Sequence, residues 1–290
     1  MGRRVPVWAG FGAATLAVTF FAAAVWAAPG SFRFADKRDS ATPVDVELVL
    51  AVDISYSMDF DELALQREGY RLALTSKEFL SALREGAHGK IAVTYVEWAG
   101  QHDQRVIVPW RLVDGPESAD SVASEIGRSE PRRASRTSIS GVLQFSRALF
   151  DNSGFRGLRR VIDVSGDGPN NSGALIAPTR DEVVKAGITI NGLPIQLKRP
   201  HRSTMDIENL DVYYADCVIG GPGAFMVPIR DRSQFISAIR TKLVLEVAGR
   251  QPDGPRVIPA SAEAPRVSCT LGEKLWQERW GGSSFDFDMR

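Results

Sequence analysis

Apolar runs alternate with amphipathic stretches along the middle of the chain, and this alternation predicts strands and helices in turn. The run at 46–52 is apolar except for Glu47 and predicts a buried strand. Asp59, followed three residues later by Glu62, is typical of a capping box that opens a helix. One face of that helix is expected to carry Leu65, Leu72, Phe79 and Leu83.

The alternation continues towards the end of the chain. Two runs rich in apolar and β-branched residues, separated by a polar turn, predict a hairpin at 91–98 and 105–113. Further strands are predicted at 160–165, 188–195 and 224–229. Helices are predicted at 118–126, after a cap at Thr137, at 182–186, at 210–215, and from a cap at Asp231 to Gly249. The expected fold class is α/β, a doubly wound domain of the Rossmann type with a mostly parallel central sheet, one antiparallel edge strand and helices on both faces.

The first residues differ in composition from this body. Arg3 and Arg4 precede an uncharged run at 5–32, which predicts that residues 1–28 form a signal peptide or an N-terminal membrane anchor. Both alternatives would place the rest of the protein in the periplasm or outside the cell. The anchor, if retained, would be the protein's membrane contact.

The last part of the chain also changes in character. Residues 249–266 are rich in Pro, Ala and Gly, which predicts a linker. In the tail, residues 267–290, Trp276 and Trp280 lie four positions apart and predict a short helix that packs against the parent domain, the alternative being a partner site.

Composition narrows the class of protein. The chain has 290 residues, enough for one large domain, and its 35 basic residues balance its 35 acidic ones, so we expect no nucleic-acid partner. Cys217 and Cys269 are its two cysteines, and an exported pair is expected to form a disulfide, the alternative being two unpaired buried thiols.

Oxygen-bearing side chains gather where predicted strands end and a helix begins. They are Asp53, Ser55, Ser57, Thr137 and Asp167. The carboxyl ends of parallel strands meet at one edge of a sheet, so these residues can converge there. Carboxylates and hydroxyls suit Mg²⁺ or Mn²⁺, whereas ordinary turn and cap residues are the alternative. Asp163 is a rival for Asp167, but it should lie inside a strand, where a carboxylate needs a partner.

These residues resemble a known family. The segment 53–57 is similar to the D-x-S-x-S element of von Willebrand factor type A (VWA) domains, and Thr137 and Asp167 resemble the residues that complete their metal-ion-dependent adhesion site (MIDAS). The resemblance covers about 45–248, and within the family the stretches "RVIDVSGDGPNN" and "YYADCVIGGPGAF" are similar to an exported bacterial branch of unknown function. It implies a Mg²⁺-centred site that captures a carboxylate of a protein partner, and no catalytic residue.

The chain departs from the family pattern at two places. Ser135 and Arg136 precede Thr137 where family members often have glycines, and Gly166 replaces the usual hydroxyl residue before the second aspartate. A structural envelope protein with a vestigial metal site is therefore an alternative function.

A phosphatase of the haloacid-dehalogenase type is a weaker alternative. The stretch "GDGPNN" is similar to an element of those enzymes. However, Ser55 stands where their general acid should be, and Asn171 replaces their last acid. We therefore expect no enzyme.

Overall fold

The computed structural model describes residues 40–197, 205–249, 258–259 and 265–280, together with Gly2. Within them, a sheet of seven strands is built from β1 Thr42–Asp53, β2 Ile91–Trp98, β3 Gln104–Val113, β4 Phe155–Gly166, β5 Thr189–Pro194, β6 Phe225–Met226 and β7 Ile258–Pro259. The strand order is β3-β2-β1-β4-β5-β6-β7. The predicted signal peptide or anchor at 1–28 lies outside the described residues, apart from Gly2.

The strand directions confirm the predicted sheet. Strand β1 pairs in parallel with β2 and β4, and β4, β5 and β6 continue in parallel. Strand β3 forms the predicted antiparallel edge with β2. At the opposite edge of the sheet, β7 pairs with β6 as a second antiparallel strand. Strand β7 lies within 249–266, the stretch predicted as a linker.

Helices cover both faces of this sheet. They are α1 Phe60–Leu74, α2 Lys77–Arg84, α3 Pro116–Arg128, α4 Ile139–Leu149, α5 Ile176–Lys185, α6 Leu210–Tyr213, α7 Phe235–Ala248 and α8 Leu271–Trp280. Alternate residues of β1 enter opposite cores, because successive side chains of a strand point to opposite faces. Leu48 and Leu50 pack under α1, α2, α3 and α7, whereas Val49 and Ala51 pack under α4, α5 and α6. Among the described residues, no helix is long and apolar enough to cross a membrane.

The helix predicted after Asp59 is in fact two helices. The capping box of Asp59 and Glu62 is present, but α1 ends at Leu74, and the Ser76 side chain accepts a hydrogen bond from the Phe79 N–H to begin α2. The predicted common face is wrong, since Leu72 remains 44% exposed. Tertiary contacts override the apolar spacing here: Arg67, on the buried face of α1, forms an ion pair with Glu97 of β2.

A buried ion cluster joins α7 to the sheet. Asp163 lies inside β4, as expected, and its carboxylate is 2.5 Å from the Lys242 Nζ of α7. The same Nζ lies 2.5 Å from the Glu246 carboxylate one turn along the helix, and all three side chains are at most 1% exposed. The Asn191 amide also donates to Glu246, at 3.1 Å. Asp163 therefore pairs with Lys242 in the core, which is the partner that its burial was expected to need.

The tail is attached to the domain by covalent and polar contacts. Cys217 and Cys269 form the predicted disulfide, with their Cα atoms 5.4 Å apart. Beside it, the Arg266 guanidinium and backbone N–H donate to the Asp216 carboxylate. The predicted short helix follows as α8, which carries Trp276 and Trp280.

Candidate functional site

The turn after β1 forms the floor of the site. The Asp53 carboxylate is fully buried, and its Oδ1 accepts a hydrogen bond from the Ser55 N–H at 2.7 Å. The hydroxyls of Ser55 and Ser57 lie 2.8 Å apart, and the Ser57 hydroxyl donates to Asp167 Oδ1 at 2.6 Å. The structure thus brings the ends of β1 and β4 together through their polar side chains.

Thr137 reaches the same place from a third segment. The prediction that it caps a helix is wrong, because the cap of α4 is Ser138, whose side chain accepts from the Gly141 N–H. Thr137 is held instead by Asn171, which accepts its N–H at 2.9 Å and donates its own N–H to the Thr137 carbonyl at 2.8 Å. The Thr137 hydroxyl is therefore not used as a cap and lies 3.9 Å from where a Cβ on Gly168 would stand.

The electrostatics of the site centre on Asp53. Burial raises its pKa to about 7, although hydrogen bonds from Ser55 and from the Asp167 backbone oppose the rise. Its second oxygen, Oδ2, is buried and has no hydrogen-bond partner within the described part of the chain. A buried carboxylate oxygen in that state is costly, and a hard cation bound beside it would offset the cost. The donor set therefore fits a divalent metal.

This donor set contains few acids. Across the ranges that the structure describes, no group of three or more His, Cys, Asp or Glu side chains could hold a metal. The predicted ligands instead comprise the carboxylates of Asp53 and Asp167 and the hydroxyls of Ser55, Ser57 and Thr137. The metal assignment of these five residues stays a prediction.

The structure gives a physical reason for Gly166. A Cβ at this position would lie 2.9 Å from Asp53 Oδ2 and 2.9 Å from the Tyr214 hydroxyl. The space that a serine would need is therefore taken by Tyr214, which is fully buried beside Asp53. Sequence reasoning missed Tyr214, because its position after α6 carries no motif.

Sequence reasoning also missed the role of the two asparagines after Asp167. Asn170 Oδ1 accepts from the Ser140 N–H at 3.0 Å, and its amide donates to Glu273 of α8 at 2.7 Å. With Asn171 bound to Thr137, this loop links the start of α4, the candidate ligands and the tail helix. The adjacent amides of "GDGPNN" were the available signal.

A cleft of about 440 Å³ opens beside the candidate ligands. Its lining includes Ser55, Ser57, Thr137, Arg136, Trp276 and Trp280. The two tryptophans were predicted to pack against the domain, but both also line this cleft, and Trp280 is 45% exposed. A volume of this size is typical of ligand pockets, which span about 300–1,000 Å³.

The sheet order and the convergence of these segments define the class of protein. A D-x-S-x-S turn after the first parallel strand, bonded through Ser57 to Asp167, gives the chain a VWA-like fold. Within that class, the chain belongs to the family described as "Protein of unknown function (DUF1194)", whose pattern matches residues 43–251. No curated protein matches the chain.

Solved structures share the fold at low sequence identity. The pilus adhesin SpaC from Lactobacillus rhamnosus GG is 13% identical, with a TM-score of 0.53, over 73% of this chain and 31% of that chain. Proximal thread matrix protein 1 from the mussel byssus, with a zinc occupied MIDAS motif, is 16% identical, with a TM-score of 0.48, over 72% and 49%. The von Willebrand factor type A protein from Catenulispora acidiphila is 14% identical, with a TM-score of 0.47, over 71% and 43%. This chain thus spans less than half the length of these chains, and the likeness concerns the fold alone.

Proposed function

We propose that this protein is a metal-dependent binding module, which holds Mg²⁺ or Mn²⁺ and captures an acidic group of a protein partner. The observation that carries the proposal is the buried Oδ2 of Asp53, which has no hydrogen-bond partner among the described residues, near the hydroxyls of Ser55, Ser57 and Thr137. Oxygen donors of this kind are those that hard divalent cations prefer.

The ligand charges explain why the site would bind rather than catalyse. Neutral hydroxyls of Ser55, Ser57 and Thr137 would contact the ion directly, whereas Asp53 and Asp167 would act mainly through water. A bound divalent cation would then supply enough remaining positive charge to accept a carboxylate from outside. The residues around it orient the hydroxyls: Asp167 fixes that of Ser57, and Asn171 fixes the backbone of Thr137.

Calorimetry on the purified protein tests the metal directly. Mn²⁺ should bind the wild type, and Asp53→Ala should lower the affinity at least tenfold, because it removes the central carboxylate. Asp181→Ala is the matched control, since its side chain is 69% exposed and remote in sequence from the site. Equal affinity in wild type and Asp53→Ala would reject the assignment, and capture of proteins with and without chelator would then test the partner.

A vestigial site in a structural envelope protein is the second candidate. The observation that favours it is Gly166, where Tyr214 occupies the space of the usual hydroxyl residue. Wild-type protein that binds neither Mn²⁺ nor Mg²⁺ at millimolar concentration would support this candidate.

The proposed site of action is outside the cytoplasm. The Cys217–Cys269 disulfide supports it, since such bonds persist mainly in oxidising compartments, and the uncharged run at 5–32 is the corresponding export signal. A reporter fused after Gly249 should be active only outside the cytoplasm. Activity confined to the cytoplasm would contradict the proposal.

A further inference from the structure

Helix α8 is fixed in place next to the candidate metal site. The disulfide at Cys269 holds its start, and the Glu273 carboxylate accepts from Asn170, the residue next to the Thr137 partner Asn171. Gly272 allows the closest approach, since a Cβ there would lie 2.0 Å from the Asn170 carbonyl oxygen. The end of α8, at Trp280, is therefore held at the rim of the cleft.

The lining of the cleft includes aromatic and cationic side chains as well as hydroxyls. The Trp276 and Trp280 rings lie 4.3 Å apart, and the Arg136 guanidinium stacks over Trp276 at 3.2 Å. A second guanidinium, of Arg133, lies 5.4 Å from the ring of Tyr56, another lining residue. Asp206 also lines the cleft, and Asp53 and Asp167 lie next to its hydroxyls, so a bound divalent cation would have to add to these two guanidiniums to attract a carboxylate. This surface suits a segment that carries both aromatic rings and carboxylates.

The chain that continues from Trp280 has that composition. Residues 281–290 read "GGSSFDFDMR", which is a stretch of Gly and Ser followed by alternating Phe and Asp. In an extended conformation, Asp286 and Asp288 would share one face and Phe285 and Phe287 the other. Six extended residues reach about 20 Å, and Trp280 lines the same cleft of about 440 Å³ as Ser55, Ser57 and Thr137.

We propose that residues 281–290 are a tethered ligand of this protein's own site. A carboxylate of Asp286 or Asp288 occupies the place of the partner's acidic group, and the phenylalanines pack against Trp276 and Trp280. This inference rests on the proposed function of the site. It makes the segment an internal competitor that an external acidic partner must displace.

The tether sets the size of the competition. A short linker gives an effective concentration on the order of 1 mM. If the untethered segment binds with a dissociation constant of about 0.1 mM, its attachment weakens the binding of an external acidic peptide about tenfold. Removing the carboxylates of Asp286 and Asp288 should therefore strengthen the binding of the external peptide about tenfold.

A labelled synthetic peptide of the sequence GGSSFDFDMR is the probe. Its binding to the full-length protein is measured by fluorescence anisotropy in Mn²⁺ and in chelator, for the wild type and for Asp286→Asn/Asp288→Asn. The variant should bind the peptide about tenfold more tightly than the wild type, in Mn²⁺ only. Asp151→Asn/Asp181→Asn, two exposed acids elsewhere, is the matched control and should behave as the wild type. A peptide with asparagine at both acidic positions should not bind.

Other outcomes of the peptide experiment would each reject one part of the proposal. Equal peptide affinity in wild type and Asp286→Asn/Asp288→Asn would reject the tether, and binding that persists in chelator would reject the metal contact. Calorimetric binding of Mn²⁺ without any peptide binding would overturn this inference and leave the proposed function standing, whereas no Mn²⁺ binding would overturn both. A wild-type dimer that becomes monomeric in the variant would show that the segment occupies a second copy, which also rejects the internal ligand.

Discussion

Lys242→Met would leave the carboxylates of Asp163 and Glu246 in the core without the ammonium group that lies between them. Lys242 is fully buried and 2.5 Å from both carboxylates, so solvent cannot replace it. Breaking a buried ion pair from one side costs about 3–5 kcal/mol. Because the total stability of a domain is about 5–15 kcal/mol, the variant should lose about a fifth of it or more.

The loss should depend on pH in a defined direction. Burial, with help from Glu246, raises the pKa of Asp163 to about 7, while Lys242 lowers it. Without Lys242 the folded-state pKa rises further, so between about pH 7 and that raised value the folded variant holds a proton that the folded wild type has lost. Stability relative to wild type therefore increases as pH falls, and the deficit should be smaller at pH 5 than at pH 8.

Urea unfolding followed by circular dichroism at pH 5 and pH 8 measures both quantities. Lys77→Met, on an exposed position of α2, should change stability by about 0.5 kcal/mol or less. Lys242→Met/Asp163→Asn removes one stranded carboxylate and should recover part of the loss. A cost below about 1 kcal/mol for Lys242→Met, equal at both pH values, would refute the reasoning from a buried ion cluster.

Further predictions concern the site, the tail and export. Gly166→Ser should weaken Mn²⁺ binding at least tenfold in calorimetry, because its Cβ would stand 2.9 Å from Asp53 Oδ2; unchanged affinity would contradict this. Cys269→Ser should cost about 4 kcal/mol in urea unfolding, as expected for releasing a loop with a sequence separation of 52; thiols that alkylate freely in the wild type would rule out the bond. Mass spectrometry should find the mature protein either cleaved near residue 28 or intact with its anchor.

Local patterns in the sequence were sufficient for much of the architecture. The continuous apolar run of β1, the turn between β2 and β3, and the capping box at Asp59 each depend on neighbouring residues, and all three are present. The order of hard-oxygen side chains after strand ends also predicted which segments would meet, since parallel strands place their carboxyl ends at one edge. These features are determined by the sequence alone.

Other features depend on contacts between distant parts of the chain. Lys242 can be buried because Asp163 of β4 lies beside it. Position 166 has no room for a side chain because the Tyr214 hydroxyl lies next to it. The approach of Trp280 to the candidate metal site requires both the disulfide and the loop of Asn170. Such contacts leave no periodicity along the sequence, because each partner is chosen by where folding places it, so only the tertiary structure decided them.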